Sequence, residues 1–292
     1  MNLAAVSPRD IPRQIGCWRS LAVGFTIWAL MGHVWLSLEF SFAYLPVGVA
    51  AGLITAIVLE TLDASLHQRP MRFRLKGEQG LAFFLPVYIS SFNLSMLMYC
   101  AELLWPVALG AVIAISSKYA LRVWHPDNGF RSFMNPQAFG LCAIVLLVPE
   151  AGLVPPYEYF TQTGSPMEII VALMGIFYGI VLNRKRKRIP MVIAFHIGFL
   201  IQAVVRMQLQ PHFGLNPILM MTGPAYLYVS MFLMPEIDTT PESKRLQILF
   251  GLSVAFFYAV VILAGYHYAL FHAVVLACLL RGLLLLLGVK YV

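Results

Sequence analysis

The chain is built from apolar runs long enough to cross a lipid bilayer. A spanning helix needs about 20 consecutive, mostly apolar residues. Ten stretches meet or approach that length: 20–38, 42–61, 79–98, 101–118, 134–149, 168–183, 190–208, 215–234, 246–266 and 268–289. Composition agrees, with 60% of the 292 residues hydrophobic and only 11% charged, against about 25% charged in soluble domains. A soluble or disordered chain is excluded, because too few polar side chains remain to cover a water-facing surface. The expected fold class is all-α, a polytopic membrane helical bundle of about ten transmembrane helices. Residues 1–19 form a tail and 20–292 a single integral membrane domain. No small-residue cleavage site follows the first run, where 36–42 read LSLEFSF, so it is expected to be a retained helix rather than a signal peptide.

Charge placement tests the count. With ten spans, 18 of the 20 Lys and Arg residues fall on one side. They lie in the tail, in the loops 63–78, 118–133, 184–188 and 235–245, and at the C-terminus. The opposite side holds Arg206, together with Glu39, Glu102, Glu150, Glu158 and Glu168. The positive-inside rule then puts both termini in the cytoplasm. The net charge of +7 is thus an orientation signal, and no nucleic-acid partner is implied. The run Arg184-Lys185-Arg186-Lys187-Arg188 is expected to anchor on anionic lipid. Cys17, Cys100, Cys142 and Cys278 are far apart and form no CxxC pair. They are expected to be small core residues, not ligands of zinc or iron–sulfur.

Polar side chains at membrane depth are costly and therefore informative. His33, His196 and His272 lie within spans. Two histidines at one depth, His33 and His272, leave haem ligation open. The competing reading, neutral imidazoles hydrogen-bonded between helices, is favoured because nothing fixes helix adjacency. Arg281 lies inside the last span, and either snorkels to the surface or pairs with a buried anion. Ser91 and Ser95 are spaced i, i+4 on the third span, with Ser90 and Asn93 broadening the polar face. They serve either interhelical hydrogen bonding or a wall for a head group, flavin or quinone-like ligand. Trp18, Trp35, Trp105 and Trp124 read as interfacial belt residues.

Two loops carry strong order signals: Arg131 to Gly140, containing Asn135-Pro136, and Met234 to Pro241, containing Thr240-Pro241. In each, a capping residue precedes a proline suited to the first helical turn. Such helix starts either cap themselves or attract a phosphate-bearing ligand. No Walker or Rossmann glycine loop, hydrolase triad or catalytic carboxylate pair occurs. A self-contained hydrolase, ATPase or dehydrogenase is not indicated.

The same loops carry a family resemblance. Ser117-Lys118, Met134-Asn135-Pro136 and Gly140 resemble the "SK…FNP…G" signature of a membrane electron-transport family. That family contains the D subunit of Rnf-type ferredoxin:NAD oxidoreductases and the B subunit of sodium-pumping NADH:quinone oxidoreductases. Pro235 to Pro241, followed by Gly251, resembles its "TDPvTtP…G" element and departs from it at Pro235, Glu236 and Ile237. Met31-Gly32-His33, Phe84 to Ser90, Leu103 to Ile113, Pro155-Pro156-Tyr157, Met221-Thr222-Gly223 and Arg281-Gly282 resemble a narrower branch. This is the UnbU-type protein encoded beside enediyne polyketide synthases.

The resemblance implies a multi-pass protein of the bacterial cytoplasmic membrane that supports transmembrane electron transfer. FMN or riboflavin would be its cofactor, and a redox protein or biosynthetic enzymes its partners beside membrane lipid. In the family an outer "SGAT" threonine carries FMN. Here Thr163-Gly164-Ser165-Pro166 occupies that region, with Ser165 the nearest hydroxyl, so it marks either a covalent flavin site or a structured turn. A non-covalent flavin or quinone would be lined by Ser91, Ser95, Lys118, Asn135, Thr239 and Thr240, while Lys118, Arg122 and Arg131 would hold a phosphate or dock an acidic partner. The rival readings are a non-redox transporter or self-resistance protein for a small apolar product, and a membrane scaffold for biosynthetic enzymes.

Overall fold

A computed structural model describes residues 11–34, 41–100, 103–125, 129–153, 167–210, 212 and 214–288. Its long helices are α1 (Ile11–Val34), α2 (Tyr44–Leu66), α3 (Glu78–Leu97), α4 (Trp105–Ala120), α5 (Pro136–Leu147), α6 (Met167–Arg186), α7 (Ile189–Leu209), α8 (Lys244–Leu263) and α9 (Ala269–Leu286). Among the described residues, six of these are long and apolar enough to cross a membrane: α1 from Gln14, α2, α3, α7, α8 and α9. The protein is an all-α membrane protein. An apolar face compatible with lipid contact runs along α7, where Ile193, Ile197, Ile201, Val205 and Leu209 are all exposed at helical spacing.

The other four expected spans differ for local reasons. The 101–118 stretch forms α4, 16 residues long, which at 1.5 Å per residue rises about 24 Å. The 134–149 stretch forms only the 12 residues of α5, opened by Pro136 and ended ahead of Pro149. The 168–183 stretch lies within α6, of 20 residues. The 215–234 stretch is broken into a helical turn (Asn216–Leu219), a 3₁₀ turn (Met220–Thr222), a short helix (Pro224–Tyr228) and a π turn (Val229–Leu233). Pro217 and Pro224 each start a helical piece, and Gly223, extended at ψ 141°, separates two of them.

The chain divides into two compact units. The first comprises Met1–Ser132 with Phe139–Val154. Here α2 packs against α3 and α4, and α1 against α3. Most of α3 is buried, and Phe83 and Val87 meet Ala56 and Ile115 in its core. Helices in lipid gain little from apolar burial, so close packing of small residues holds them. Thus a Cβ on Gly140 of α5 would come 2.8 Å from both Gly110 O and Ala114 Cβ of α4. Two antiparallel ladders, β1 (Met98–Tyr99) with β4 (Gly152–Leu153) and β2 (Arg122–His125) with β3 (Gly129–Ser132), complete this unit.

The second unit comprises Phe133–Ala138 with Pro155–Val292. Helix α8 packs along α7 and α9, while the π turn contacts α6 and α7. A Cβ on Gly251 of α8 would lie 2.5 Å from Met191 O and 3.0 Å from Phe195 N, so the two backbones touch there. Its core is aromatic: Phe199 lies 4.6 Å from both Tyr226 and Tyr258, centroid to centroid. All four cysteines are buried and unbridged, as core residues should be. Trp18 is also buried, which removes it from the expected belt, whereas Trp105 and Trp124 are exposed.

Candidate functional site

In the second unit the fold brings the two ordered loops together. Asn135 is buried and bonded in both directions. Its Oδ1 accepts from Ala138 N at 3.0 Å, capping α5, and its Nδ2 donates to Leu233 O at 2.9 Å. From α6, Asn183 Nδ2 donates to Met231 O at 2.8 Å, within the π turn. Arg188 donates to Pro241 O at 2.8 Å and Ile237 O at 3.3 Å. Arg281 donates to Thr239 O at 2.5 Å. Four side chains from four parts of the unit thereby hold the carbonyls of one irregular stretch, 231–241. Buried irregular backbone is stable only when its polar groups are satisfied in this way, and π turns concentrate at functional sites.

Thr239 and Thr240 are buried, and their hydroxyls turn inward to the loop. Thr239 Oγ1 donates to the Glu236 carboxylate at 3.2 Å, and Thr240 Oγ1 donates to Glu236 O. Thr240 is therefore not the cap of the following helix. Ser243 is, its Oγ accepting from Leu246 N at 3.3 Å. At Asn135 the capping reading of the helix start holds. Arg281 reaches into this loop, where its Nη1 serves the Thr239 carbonyl. The basic run also divides. Arg184, Lys185 and Lys187 are exposed, whereas Arg186 and Arg188 are buried, so only part of it is placed to meet lipid head groups.

The remaining expected site residues lie in the first unit or outside the described residues. Ser91 and Ser95 are fully buried at the α2–α3 crossing. A Cβ on Gly52 would strike Ser91, and one on Gly48 would strike Ser95. Ser95 Oγ donates to Ser91 O at 2.8 Å, while Ser91 Oγ, Ser90 Oγ and Asn93 Oδ1 are buried without a hydrogen-bond partner among the described residues. Lys118 is half-buried in the last turn of α4. Ser165 lies outside the described residues. His33, His196 and His272 each pair through Nδ1 with the backbone carbonyl four residues earlier. Among the described residues no group of three or more metal-binding side chains occurs.

A second polar centre in the first unit went unseen in the sequence. Glu60, fully buried near the end of α2, accepts from Arg69 Nη1 at 2.5 Å and Nη2 at 3.1 Å. It also accepts from Arg72 N at 3.0 Å, from Arg72 Nε at 2.9 Å and from Arg72 Nη2. Asp63, one turn on, takes Arg69 Nη2 at 2.5 Å and Arg122 Nη2 at 2.8 Å. The Glu60 hydrogen bond, above all other contacts, raises the Arg69 guanidinium beyond its usual pKa. Arg122, expected to hold a phosphate, is thus engaged by Asp63. The available signal was the i, i+3 pair Glu60/Asp63 closing an apolar helix, with three arginines in the loops that share its side.

No protein-family model matches the chain, and no curated protein matches it. Fold and site together define an all-helical membrane protein with a strapped, irregular loop in one unit and a buried ion-pair cluster in the other.

Proposed function

We propose that the protein is a ten-span subunit of the Rnf-D/Nqr-B-like kind, with both termini on the basic, cytoplasmic side of a bacterial inner membrane. In this reading it supports electron transfer through a non-covalent flavin or quinone-like group, in the setting of enediyne-type biosynthesis. The observation that carries the reading is the 2.9 Å bond from Asn135 Nδ2 to Leu233 O. It ties Asn135, in the first stretch on which the family resemblance rests, to Leu233, two residues ahead of the second, although the bonded residues are 98 apart in the chain.

The residues divide in their fit to such a group. The Thr239 and Thr240 hydroxyls donate to Glu236, and Asn135 bonds Ala138 N and Leu233 O, so in this reading all three act as braces. The α3 face fits better. Ser90 Oγ can donate to a ring carbonyl and Asn93 Oδ1 can accept from a ring N–H, and both are buried and unbonded. A bound flavin or quinone supplies reversible electron and proton transfer. The α3 side chains would orient it, and the surrounding apolar helices would exclude water. A visible spectrum and extraction of the gently purified protein, alone and with candidate redox partners, tests this. A flavin or quinone is expected, and its absence under every condition refutes the reading.

The broken helix 216–233 favours a second reading, a non-redox transporter, because discontinuous helices mark substrate sites in transporters. Ligand-dependent flux in liposomes without any chromophore would support it.

A further inference from the structure

Helix α7 is apolar on its lipid face, yet it carries Gln202 and Arg206 one turn apart on its inner face. Each is only 9% exposed, while Ile201 and Val205 beside them are lipid-exposed, so both side chains turn into the unit. From Ile189 to Arg206 the helix rises about 26 Å. Arg206 therefore sits at the opposite end of α7 from the basic run.

A buried guanidinium needs compensation. The C-terminal dipole of α7 supplies part of it. The ring of Tyr258, 5.8 Å from the guanidinium carbon, and its hydroxyl supply another part. Neither carries a full negative charge. Among the described residues, Arg206 Nε and Nη1 have no acceptor and no carboxylate pairs with Arg206. Gln202 Nε2 is held by Phe199 O at 2.9 Å, which fixes the amide and leaves Oε1 unbonded. Two cationic donors and one acceptor are thus buried without partners beside the packed rings of Phe199 and Tyr258.

We propose that Arg206, Gln202 and Tyr258 bind the oxyanion head group, phosphate or carboxylate, of a molecule with an apolar body. The oxyanion accepts from Nε–H and Nη1–H of Arg206. Gln202 Oε1 accepts from a hydroxyl or N–H of the same head group, and the aromatic rings receive the apolar part. An anionic lipid and a soluble anion share this chemistry.

The test uses the full chain in nanodiscs of phosphatidylcholine, titrated separately with phosphatidylglycerol, oleate and inorganic phosphate. Binding is read by thermal stabilisation and by adducts in native mass spectrometry. At least one titrant is expected to stabilise the wild type. Arg206→Gln should weaken that response about tenfold or more, since it removes both charge-assisted donors, and exposed Arg245→Gln should leave it unchanged. A response to phosphatidylglycerol or oleate alone assigns an amphiphile, and a response to phosphate alone assigns a soluble anion. Should Arg206→Gln fail to fold, Arg206→Lys and Gln202→Leu provide the comparison, each with a weaker response than wild type. No response to any titrant, or responses equal to wild type in all three variants, overturns the proposal. The chromophore spectrum is read separately, so the redox reading stands or falls independently.

Discussion

Exchanging Glu60 for glutamine should expose how much the first unit depends on its buried carboxylate. The substitution keeps shape and removes the charge. Each Glu60 oxygen accepts from both arginines: Oε1 from Arg69 Nη1 and Arg72 N, Oε2 from Arg69 Nη2 and the Arg72 side chain. An amide nitrogen at either position would face donors with a donor. Removing one partner of a buried ion pair costs about 3–5 kcal/mol. Arg69 and Arg72 retain 28% and 16% side-chain exposure, and Asp63 stays 2.5 Å from Arg69. Solvent and Asp63 therefore recover part of the loss, leaving about 2–4 kcal/mol. At roughly 2–4 °C per kcal/mol for a large domain, Tm should fall by about 4–16 °C. Thermal unfolding of the full chain in mild detergent, followed by tryptophan fluorescence, reads this directly. Glu60→Gln combined with Arg69→Gln should cost less than the sum of the two single changes, because the charges then leave together. A Tm within about 1 °C of wild type, against that worked range, would refute the reasoning.

Other perturbations address the second unit. Asn135→Ala should lose the α5 cap, about 1 kcal/mol, and the bond to Leu233 O, about 1–2 kcal/mol, lowering Tm measurably. Gly251→Ala should cost about 1–3 kcal/mol, since its Cβ would meet the backbone of α7 rather than a movable side chain. In the basic run, Lys185→Gln with Lys187→Gln should reduce flotation with anionic vesicles and leave Tm almost unchanged. Arg188→Gln should do the reverse, because Arg188 holds Pro241 O and Ile237 O.

Hydropathy made the long helices legible because one physical demand, an apolar path across lipid, sets both their length and their composition. Runs 42–61, 190–208 and 246–266 match α2, α7 and α8 to within a few residues. The same measure failed at 215–234, a stretch that is apolar overall yet is divided into short pieces around Gly223 and Pro224. Hydropathy is blind to missing amide donors and to extended backbone. The Glu60 cluster was missed because charges were assigned to sides of the membrane, and sidedness says nothing about pairing. Asn135 was singled out correctly as a cap, but its second bond joins it to Leu233, and only the fold supplies that neighbour. Arg206 stood out as the lone basic residue on its side, and the fold added that it points inward without a carboxylate.

The central claim is that the bundle holds a redox-active organic group along α3. It is tested most directly by a reduced-minus-oxidised visible spectrum of the full chain purified in mild detergent, beside Asn93→Leu with its folding verified by Tm. The account predicts a flavin or quinone band in the wild type that bleaches with dithionite, and a markedly lower chromophore content in Asn93→Leu. A wild-type protein without any reducible chromophore, before and after incubation with FMN, riboflavin and quinone, would contradict it.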